Sequence, residues 1–479
     1  MTNKVPSEMS HESQASVDEH NPTQLAVLIL GPIVACLVGG LMWFSDPDSN
    51  QAAITLGITT WVVIWWMFQP IPIPVTSLLP LALFPLTGVL TSQQVGTAYG
   101  HPLVLLLMGG FLLATALERS GAHRRIALSM IRAFGGSSSR RLVLGFMFAS
   151  AVLSMWISNT ATVLMLLPVA IAVIDSTDDK DLAVPLLLGM AYGASIGGMG
   201  TPIGTPPNVV FMGVYEETTG QTIGFGTWMS WALPVVAVML PLAGLWITRK
   251  LRFQGEFDLP DPGRWRTEEK RVFIVFALTA FFWVTRTEPF GGWSTWFNVP
   301  YTNDAIVAFL GVVLLFLVPN GEGGKLLDWE TANKIPWGML ILFGAGITIA
   351  TAFISSGLSA TIGSSLESLS TFHALIMIGL ICLAVTFLTE VTSNTATTTL
   401  LMPILAAAAV GAAIDPKLFM IPAALSASCA FMLPVATPPN VVAFSTGRLA
   451  IQTMIKEGFA LNLLGALIIS MVVYLLLAP

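Results

Sequence analysis

Long apolar stretches, separated by short polar segments, occupy the chain from residue 25 to its end. About 20 helical residues cross the hydrocarbon core of a bilayer, so stretches of this length predict membrane-spanning helices. Two of them, 141–175 and 373–412, are too long for one helix, and each is interrupted at a Ser-Asn-Thr sequence. Each is therefore either a broken span or a re-entrant hairpin. The full set covers approximately residues 25–44, 51–68, 72–90, 101–118, 141–175, 183–214, 227–248, 271–288, 303–319, 337–354, 373–412, 418–446 and 458–478.

The positions of lysine and arginine distinguish a broken span from a hairpin, because cytoplasmic loops carry the excess of basic residues. Basic clusters lie between residues 119 and 141 and between 249 and 271. If both long stretches are hairpins, all 21 basic residues except Arg286 and Lys417 face the cytoplasm. We therefore predict an all-α polytopic membrane protein with about eleven transmembrane helices and two re-entrant hairpins. Its amino terminus is cytoplasmic and its carboxyl terminus is outside.

The two halves of the chain repeat the same polar motifs in the same order. Ser-Asn-Thr-Ala-Thr at 158–162 recurs at 393–397, and Thr-Pro-Pro-Asn-Val-Val at 205–210 recurs at 437–442. In the predicted topology these halves have opposite orientations. Inverted repeats with helices interrupted at matching positions are typical of secondary transporters, whose binding site lies near the bilayer midplane. The expected segments are a disordered cytoplasmic tail at 1–21, an additional transmembrane helix at 22–48, a first repeat at 49–250 with hairpin 141–175 entering from the cytoplasm, a cytoplasmic linker at 251–270, and a second repeat at 271–479 with hairpin 373–412 entering from outside.

The amino-acid composition agrees with a protein that is embedded in a lipid bilayer. Only 10% of the 479 residues are charged, compared with about 25% in soluble domains. The three cysteines, Cys36, Cys382 and Cys429, lie singly in apolar stretches, which predicts buried thiols and no disulfide framework. The chain has no His-Glu-x-x-His or Gly-x-Ser-x-Gly motif, so we do not expect an enzyme. A channel is also disfavoured, because rings of selectivity residues are missing.

The repeated motifs supply groups for both cations and anions. Consecutive prolines stop a helix, and irregular backbone at membrane depth requires surrounding protein or a wet cavity. Exposed carbonyl and side-chain oxygens suit a hard cation such as sodium, whereas helix amino termini suit a carboxylate. Asn159-Thr160 and Asn394-Thr395, at the two hairpin tips, are therefore predicted to hold one carboxylate each. No basic residue is near by sequence, so at least two sodium ions are expected to balance the charge.

Four other ionisable residues lie within or beside the apolar stretches. Glu390 precedes the second Ser-Asn-Thr motif at membrane depth. It is either a functional carboxylate or a structural one that nearby Ser or Thr hydroxyls satisfy. His101 and His373 lie at segment starts, where an interfacial position is expected. Glu118 is expected to be a solvated helix end or to pair with Arg119.

These doubled motifs resemble those of the divalent anion/sodium symporter family, and the chain after residue 21 looks most like its bacterial INDY-type dicarboxylate transporters. The resemblance implies a homodimer in the bacterial inner membrane, in which a scaffold part of each protomer supports a moving transport part in an elevator-type cycle. It implies one sodium site formed by Ser154, Ser158, Asn159 and the Gly204 carbonyl, and a second formed by Thr389, Thr392 (side chain or backbone carbonyl), Asn394 and the Ala436 carbonyl. It also implies substrate contacts from Asn159, Thr160, Ser393, Asn394, Thr395, Thr205, Thr437 and Pro438.

We therefore expect a sodium-coupled symporter that imports C4-type dicarboxylates such as succinate, malate or fumarate. A sodium-independent dicarboxylate exchanger on the same fold would share most of these residues and stays open as the alternative. The expected partners are the dicarboxylate, the lipid bilayer and a second copy of the chain, and no nucleic acid.

Overall fold

In the computed structural model of the chain, the regular secondary structure of the described residues is helical, apart from one isolated bridge between Pro319 and Lys325. This confirms the predicted all-α class. The predicted tail at 1–21 lies outside the described residues. The structure describes residues 22–45, 49–134, 136–177, 179–255, 257, 259–365 and 373–477.

The first half contains twelve helices in its described part, several of which are parts of one interrupted segment. Local signals set the ends of these helices. Thr91 and Gln94 form a capping box at the start of α5, and Gly121 ends α6 in a left-handed conformation. The helices are α1 (Pro22–Ser45), α2 (Asn50–Phe68), α3 (Ile73–Thr76), α4 (Leu79–Leu86), α5 (Ser92–Tyr99), α6 (Pro102–Ser120), α7 (Ala122–Phe134), α8 (Ser139–Ser154), α9 (Asn159–Asp175), α10 (Ala183–Gly198), α11 (Pro206–Thr219) and α12 (Phe225–Thr248).

Over its described residues, the second half has eleven helices, the same number as α2–α12 of the first half. A short 3-10 turn, Pro434–Ala436, precedes the second Thr-Pro-Pro-Asn motif. The helices are α13 (Thr267–Val284), α14 (Gly292–Trp296), α15 (Asp304–Leu317), α16 (Trp329–Ala332), α17 (Trp337–Ser355), α18 (Leu358–Ser365), α19 (Ala374–Leu388), α20 (Asn394–Gly411), α21 (Lys417–Ser426), α22 (Pro438–Phe444) and α23 (Ile451–Leu477).

Seven helical segments in the described part of the chain are long and apolar enough to cross a membrane, by length and composition. Shorter apolar helices occur where a segment is interrupted, as in α9, α10, α19 and α21. If α3–α4, α5–α6, α10–α11 and α21–α22 each count as one span, the order of elements is that of eleven spans and two hairpins. The expected polytopic architecture is therefore present.

The two predicted basic clusters meet at one end of the molecule. Arg125 of the first cluster and Arg266 of the second both bind the carboxylate of Glu269, at 2.7 and 3.2 Å. Residues 142–248, which lie between these clusters, therefore leave and return to the same end, as the hairpin interpretation requires. Arg119 pairs with Asp328 at 2.5 Å, so of the two alternatives for Glu118, pairing with Arg119 is not the one observed.

The expectation that all three cysteines are buried was wrong for one of them. Cys36 is exposed, whereas Cys382 and Cys429 are buried as expected. The reason is that α1 lies at the edge of the helix assembly and packs mainly on α2, which leaves most of its apolar surface uncovered. His101, at the start of α6, is buried with Nε2 3.7 Å from a carboxylate oxygen of Glu216. His373 is exposed at the start of α19. The interfacial position expected for both histidines stays a prediction.

The two halves interlock through their interrupted segments. α9 begins within the first Ser-Asn-Thr motif and packs on α22 of the second half. α20 begins within the second Ser-Asn-Thr motif and packs on α11 of the first half. α10 also contacts α22, and α11 contacts α21. Each hairpin is therefore held by the broken helix of the opposite half.

Candidate functional site

The first hairpin tip consists of residues 155–158, between α8 and α9, and of Asn159, the first residue of α9. The hydroxyl oxygen of Ser158 accepts a hydrogen bond from the backbone N–H of Ala161 (3.1 Å), and this cap starts α9 at Asn159. The buried hydroxyl of Ser154 donates to the side-chain oxygen of Asn159. The end of α8 therefore fixes the orientation of the Asn159 amide at the tip.

The second hairpin tip contains the same bond. Thr389 Oγ1 donates to Asn394 Oδ1 at 2.6 Å, and it also lies 3.1 Å from the carbonyl oxygen of Ala427. Thr389 occupies the same position relative to the second Ser-Asn-Thr motif as Ser154 does relative to the first. The two halves therefore arrange a hydroxyl and an amide in the same way.

The break between α10 and α11 is held by the asparagine of the first Thr-Pro-Pro-Asn motif. The side-chain nitrogen of Asn208 lies 3.1, 3.4 and 2.7 Å from the carbonyl oxygens of Gly198, Met199 and Thr201. These carbonyls belong to the last residue of α10 and to the irregular segment after it, where no backbone N–H of a continuing helix satisfies them. One buried side chain therefore stabilises the irregular segment.

The second half uses its asparagine in the same way. The side-chain nitrogen of Asn440 donates to the carbonyl oxygens of Ala430 and Leu433, both at 3.0 Å. The side-chain oxygens of Asn208 and Asn440 are buried and have no hydrogen-bond partner among the described residues. Buried oxygens of this kind are suited to a bound cation or an ordered water molecule.

Three of the four residues expected at the first sodium site come together around Gly198. A Cβ atom added to Gly198 would lie 2.7 Å from Asn159 Oδ1 and 3.2 Å from the Gly204 carbonyl oxygen. A Cβ atom added to Gly204 would lie 3.0 Å from the Ser154 carbonyl oxygen. The fourth residue, Ser158, uses its side chain to cap α9. Gly198 was missed by the sequence analysis, although the Gly-Gly-Met-Gly run at 197–200 was a visible signal of close backbone approach.

At the second expected sodium site, the structure brings together Thr389 and Asn394. The Thr392 hydroxyl is engaged within the hairpin, because it donates to the Leu388 carbonyl (2.7 Å) and lies 2.5 Å from Thr397 Oγ1. Of the two alternatives for Thr392, this arrangement favours its backbone carbonyl. Ala436 ends the 3-10 turn that leads into α22.

The expected substrate residues lie at the starts of the helices that meet in this region. Ser393 and Thr437 immediately precede α20 and α22, and Thr437 Oγ1 accepts from the Asn440 N–H at 3.3 Å. Thr205 precedes α11 and is buried. The remaining residues differ in exposure, with Thr395 buried, Asn159, Thr160 and Asn394 half-buried, and Pro438 exposed. Helix amino termini carry a partial positive charge, so the starts of α9, α11 and α20 favour an anion without any basic side chain.

Glu390 is buried and is satisfied by groups that we did not expect. Its two carboxylate oxygens accept hydrogen bonds from the backbone N–H groups of Met432 (2.8 Å) and Leu433 (2.9 Å). The side-chain nitrogen of Asn462 donates to the same carboxylate at 2.7 Å. The hydroxyl partners proposed from the sequence were therefore wrong, because the actual partners are distant along the chain.

A polytopic helical protein with two sets of helices interrupted at matching positions belongs to the class of secondary transporters. The family model described as citrate transporter (CitMHS) matches residues 63–420. The chain is therefore a membrane transporter and not an enzyme, and it belongs to the divalent anion/sodium symporter family, as its motifs predicted.

Two relatives that are named as transporters are similar over nearly the full length. The sodium-dependent dicarboxylate transporter SdcS of Staphylococcus saprophyticus is 40% identical in an alignment 486 residues long, and the alignment covers 96% of this chain and 92% of the relative. The protein of the same name from Staphylococcus aureus is 39% identical in an alignment 478 residues long, and the alignment covers 94% of this chain and 91% of the relative.

Two solved structures have a similar fold. The YdaH transporter of Alcanivorax borkumensis aligns with a TM-score of 0.56 at 14% identity, covering 82% of this chain and 87% of that chain. MtrF of Neisseria gonorrhoeae, described as one of a class of antimetabolite efflux pumps, aligns with a TM-score of 0.59 at 13% identity, covering 81% and 83%. At this level of identity the similarity concerns the fold alone.

Proposed function

We propose that the protein is a sodium-coupled symporter that imports C4-type dicarboxylates such as succinate, malate or fumarate. One observation carries this proposal. The hydroxyl–amide bond at each hairpin tip occurs twice, as Ser154–Asn159 and as Thr389–Asn394, and the first pair lies against the backbone of Gly198 and Gly204. Sodium-dependent dicarboxylate transport by relatives that are 40% and 39% identical supports the same function.

The chemistry of these groups fits a cation and an anion bound together. Side-chain and carbonyl oxygens suit sodium, and the amide nitrogens and helix starts suit carboxylates. Moving one elementary charge across the membrane involves about 2.3 kcal/mol per 100 mV. Import of a dianion against an inside-negative potential therefore requires compensation, and at least two sodium ions supply it. The two related tips offer one cation site each.

We place the protein in the bacterial inner membrane as a homodimer with a cytoplasmic amino terminus and an outside carboxyl terminus. In this arrangement the clusters around Arg125 and Arg266 face the cytoplasm, in agreement with the positive-inside rule. The hairpins and broken helices form the moving transport part of an elevator-type cycle. Their interlocked packing, α9 on α22 and α20 on α11, supports movement as one body.

The test is uptake of radiolabelled succinate by the purified protein in proteoliposomes under separate sodium, lithium and proton gradients. We expect uptake to require sodium and to be inhibited by unlabelled malate and fumarate. Citrate and sulfate serve as competitors that differ in size and charge distribution. Equal counterflow with and without sodium would identify the exchanger instead and would exclude the symporter.

A further inference from the structure

Glu390 links three parts of the second half that are distant along the chain. It directly follows Thr389, which holds Asn394 at the hairpin tip. Its carboxylate binds the N–H groups of Met432 and Leu433 in the irregular segment between α21 and α22. Two consecutive residues therefore hold different parts of the site: Thr389 holds the side-chain amide of Asn394, and Glu390 holds the irregular segment between α21 and α22.

Leu433 connects Glu390 to the turn that carries the Ala436 carbonyl, which is an expected ligand of the second sodium ion. The Leu433 carbonyl oxygen accepts from the side chain of Asn440 (3.0 Å) and from the backbone N–H of Ala436 (3.2 Å). The N–H and carbonyl groups of Leu433 are thus both engaged, the first by Glu390 and the second by the turn that ends at Ala436. Loss of the carboxylate would release this peptide from the hairpin.

The first half makes the equivalent link without a charge. Three residues before the first Ser-Asn-Thr motif stands Met155, and its backbone carbonyl oxygen accepts a hydrogen bond from the hydroxyl of Thr201. Thr201 and Leu433 occupy the same position relative to their Thr-Pro-Pro-Asn motifs. The link between hairpin and broken helix is therefore preserved, but its chemistry differs between the halves.

The last helix of each half supports the same segment from the other side. In the first half, Trp228 of α12 donates to the carbonyl oxygen of Met199 at 3.0 Å. In the second half, Asn462 of α23 accepts from the N–H of Phe431 at 3.3 Å and also donates to Glu390. None of the ion pairs formed by the described residues includes Glu390.

We infer that Glu390 is a positioning residue for the second sodium site, where its carboxylate joins the hairpin tip at Asn394 to the segment that carries the Ala436 carbonyl. This inference rests on the proposed sodium-coupled function. A carboxylate is suited to the task because two adjacent N–H donors need two acceptor oxygens. A glutamine of the same shape has one acceptor oxygen, and its NH2 group would face a second donor.

The experiment compares Glu390→Gln with Glu390→Asp and with Glu457→Gln in the full chain. Glu457 lies on the same helix as Asn462 but pairs with Arg249 (2.7 Å), so its substitution controls for loss of a carboxylate from this region. The measurements are the sodium concentration for half-maximal succinate uptake in proteoliposomes and the sodium concentration for half-maximal thermal stabilisation of the purified protein.

For Glu390→Gln we expect both half-saturating sodium concentrations to rise by about tenfold, because hydrogen bonds to a charged acceptor are lost. Glu390→Asp retains both oxygens and should show a smaller rise, and Glu457→Gln should show none. Wild-type sodium dependence of Glu390→Gln, or an equal shift in Glu457→Gln, would overturn the inference. If Glu390→Gln does not fold, Asn462→Ala removes one of the three bonds, and an unchanged sodium dependence of that variant would overturn the inference equally.

Failure of the proposed function gives a different result. In that case the unsubstituted protein itself transports succinate without sodium and shows no sodium-dependent stabilisation. If the unsubstituted protein requires sodium but Glu390→Gln matches it, only the role of Glu390 is rejected.

Discussion

Replacement of Gly198 by alanine tests the arrangement around Asn159. The added Cβ would lie 2.7 Å from Asn159 Oδ1 and 3.2 Å from the Gly204 carbonyl oxygen, both closer than van der Waals contact. The Asn159 amide must then move, although Ser154 holds it on the other side. Overpacking of this kind costs about 1–3 kcal/mol, and each 1.4 kcal/mol is about tenfold in an equilibrium constant. We therefore expect the half-saturating sodium concentration to rise by about 5- to 140-fold.

The matched control is Gly189→Ala on the same helix. Its added Cβ would lie 3.1 Å from a methyl group of Val143 and would meet no oxygen of the site. This variant should keep the sodium dependence of the unsubstituted protein. Both proteins are assayed by succinate uptake at increasing sodium concentration, and size-exclusion chromatography checks that they are folded. Unchanged sodium dependence of Gly198→Ala would refute the role assigned to this close contact.

Three other predictions concern single side chains. Asn159→Ala and Asn394→Ala should each abolish sodium-driven uptake while the protein stays inserted, and normal succinate transport by both would reject the site. Thr389→Val loses a hydrogen bond worth about 1 kcal/mol, so the half-saturating sodium concentration should rise about fivefold. Thr389→Ser keeps the hydroxyl and should keep the half-saturating sodium concentration of the unsubstituted protein. Equal half-saturating concentrations for the two variants would contradict the assignment. Hydrogen bonding to Thr331 holds the pKa of the loop residue Asp328 below its ordinary value of 3.8. Asp328 therefore stabilises the protein above that pH, and this contribution is lost as the pH falls through the lower folded-state pKa. The thermal unfolding temperature of Asp328→Asn should depend less on acid pH than that of the unsubstituted protein. The same pH dependence in both proteins would disprove this stabilising role of Asp328.

The repeated motifs made a large part of the candidate site predictable. Polar residues and consecutive prolines at membrane depth are costly unless a cavity or surrounding protein satisfies them, so their paired occurrence was a strong signal. The structure places Ser154, Asn159 and Gly204 together, and likewise Thr389 and Asn394. These pairs are local or belong to recognisable motifs, and for that reason the amino-acid sequence is sufficient to propose them.

Residues whose partners are distant along the chain were less predictable. His101 is buried beside Glu216, which belongs to another helix, and this neighbour was not predicted. Cys36 was expected to be buried but lies on the uncovered side of α1. In both cases the local pattern shows an apolar segment, and only the packing of neighbouring helices determines which side of that segment is covered.

Hydrophobic length, basic-residue asymmetry and the doubled motifs together determined the all-helical class, the order of spans and hairpins, and the residues at the two tips. These properties depend on local composition, because each segment must satisfy its own backbone in lipid. The tertiary structure decided that Gly198 lies against Asn159, that the Thr392 hydroxyl is used within its hairpin, and that Glu390 binds the 432–433 amides. Such contacts join elements from separate parts of the chain, and their energies depend on distances of a few ångströms that arise only when the helices pack.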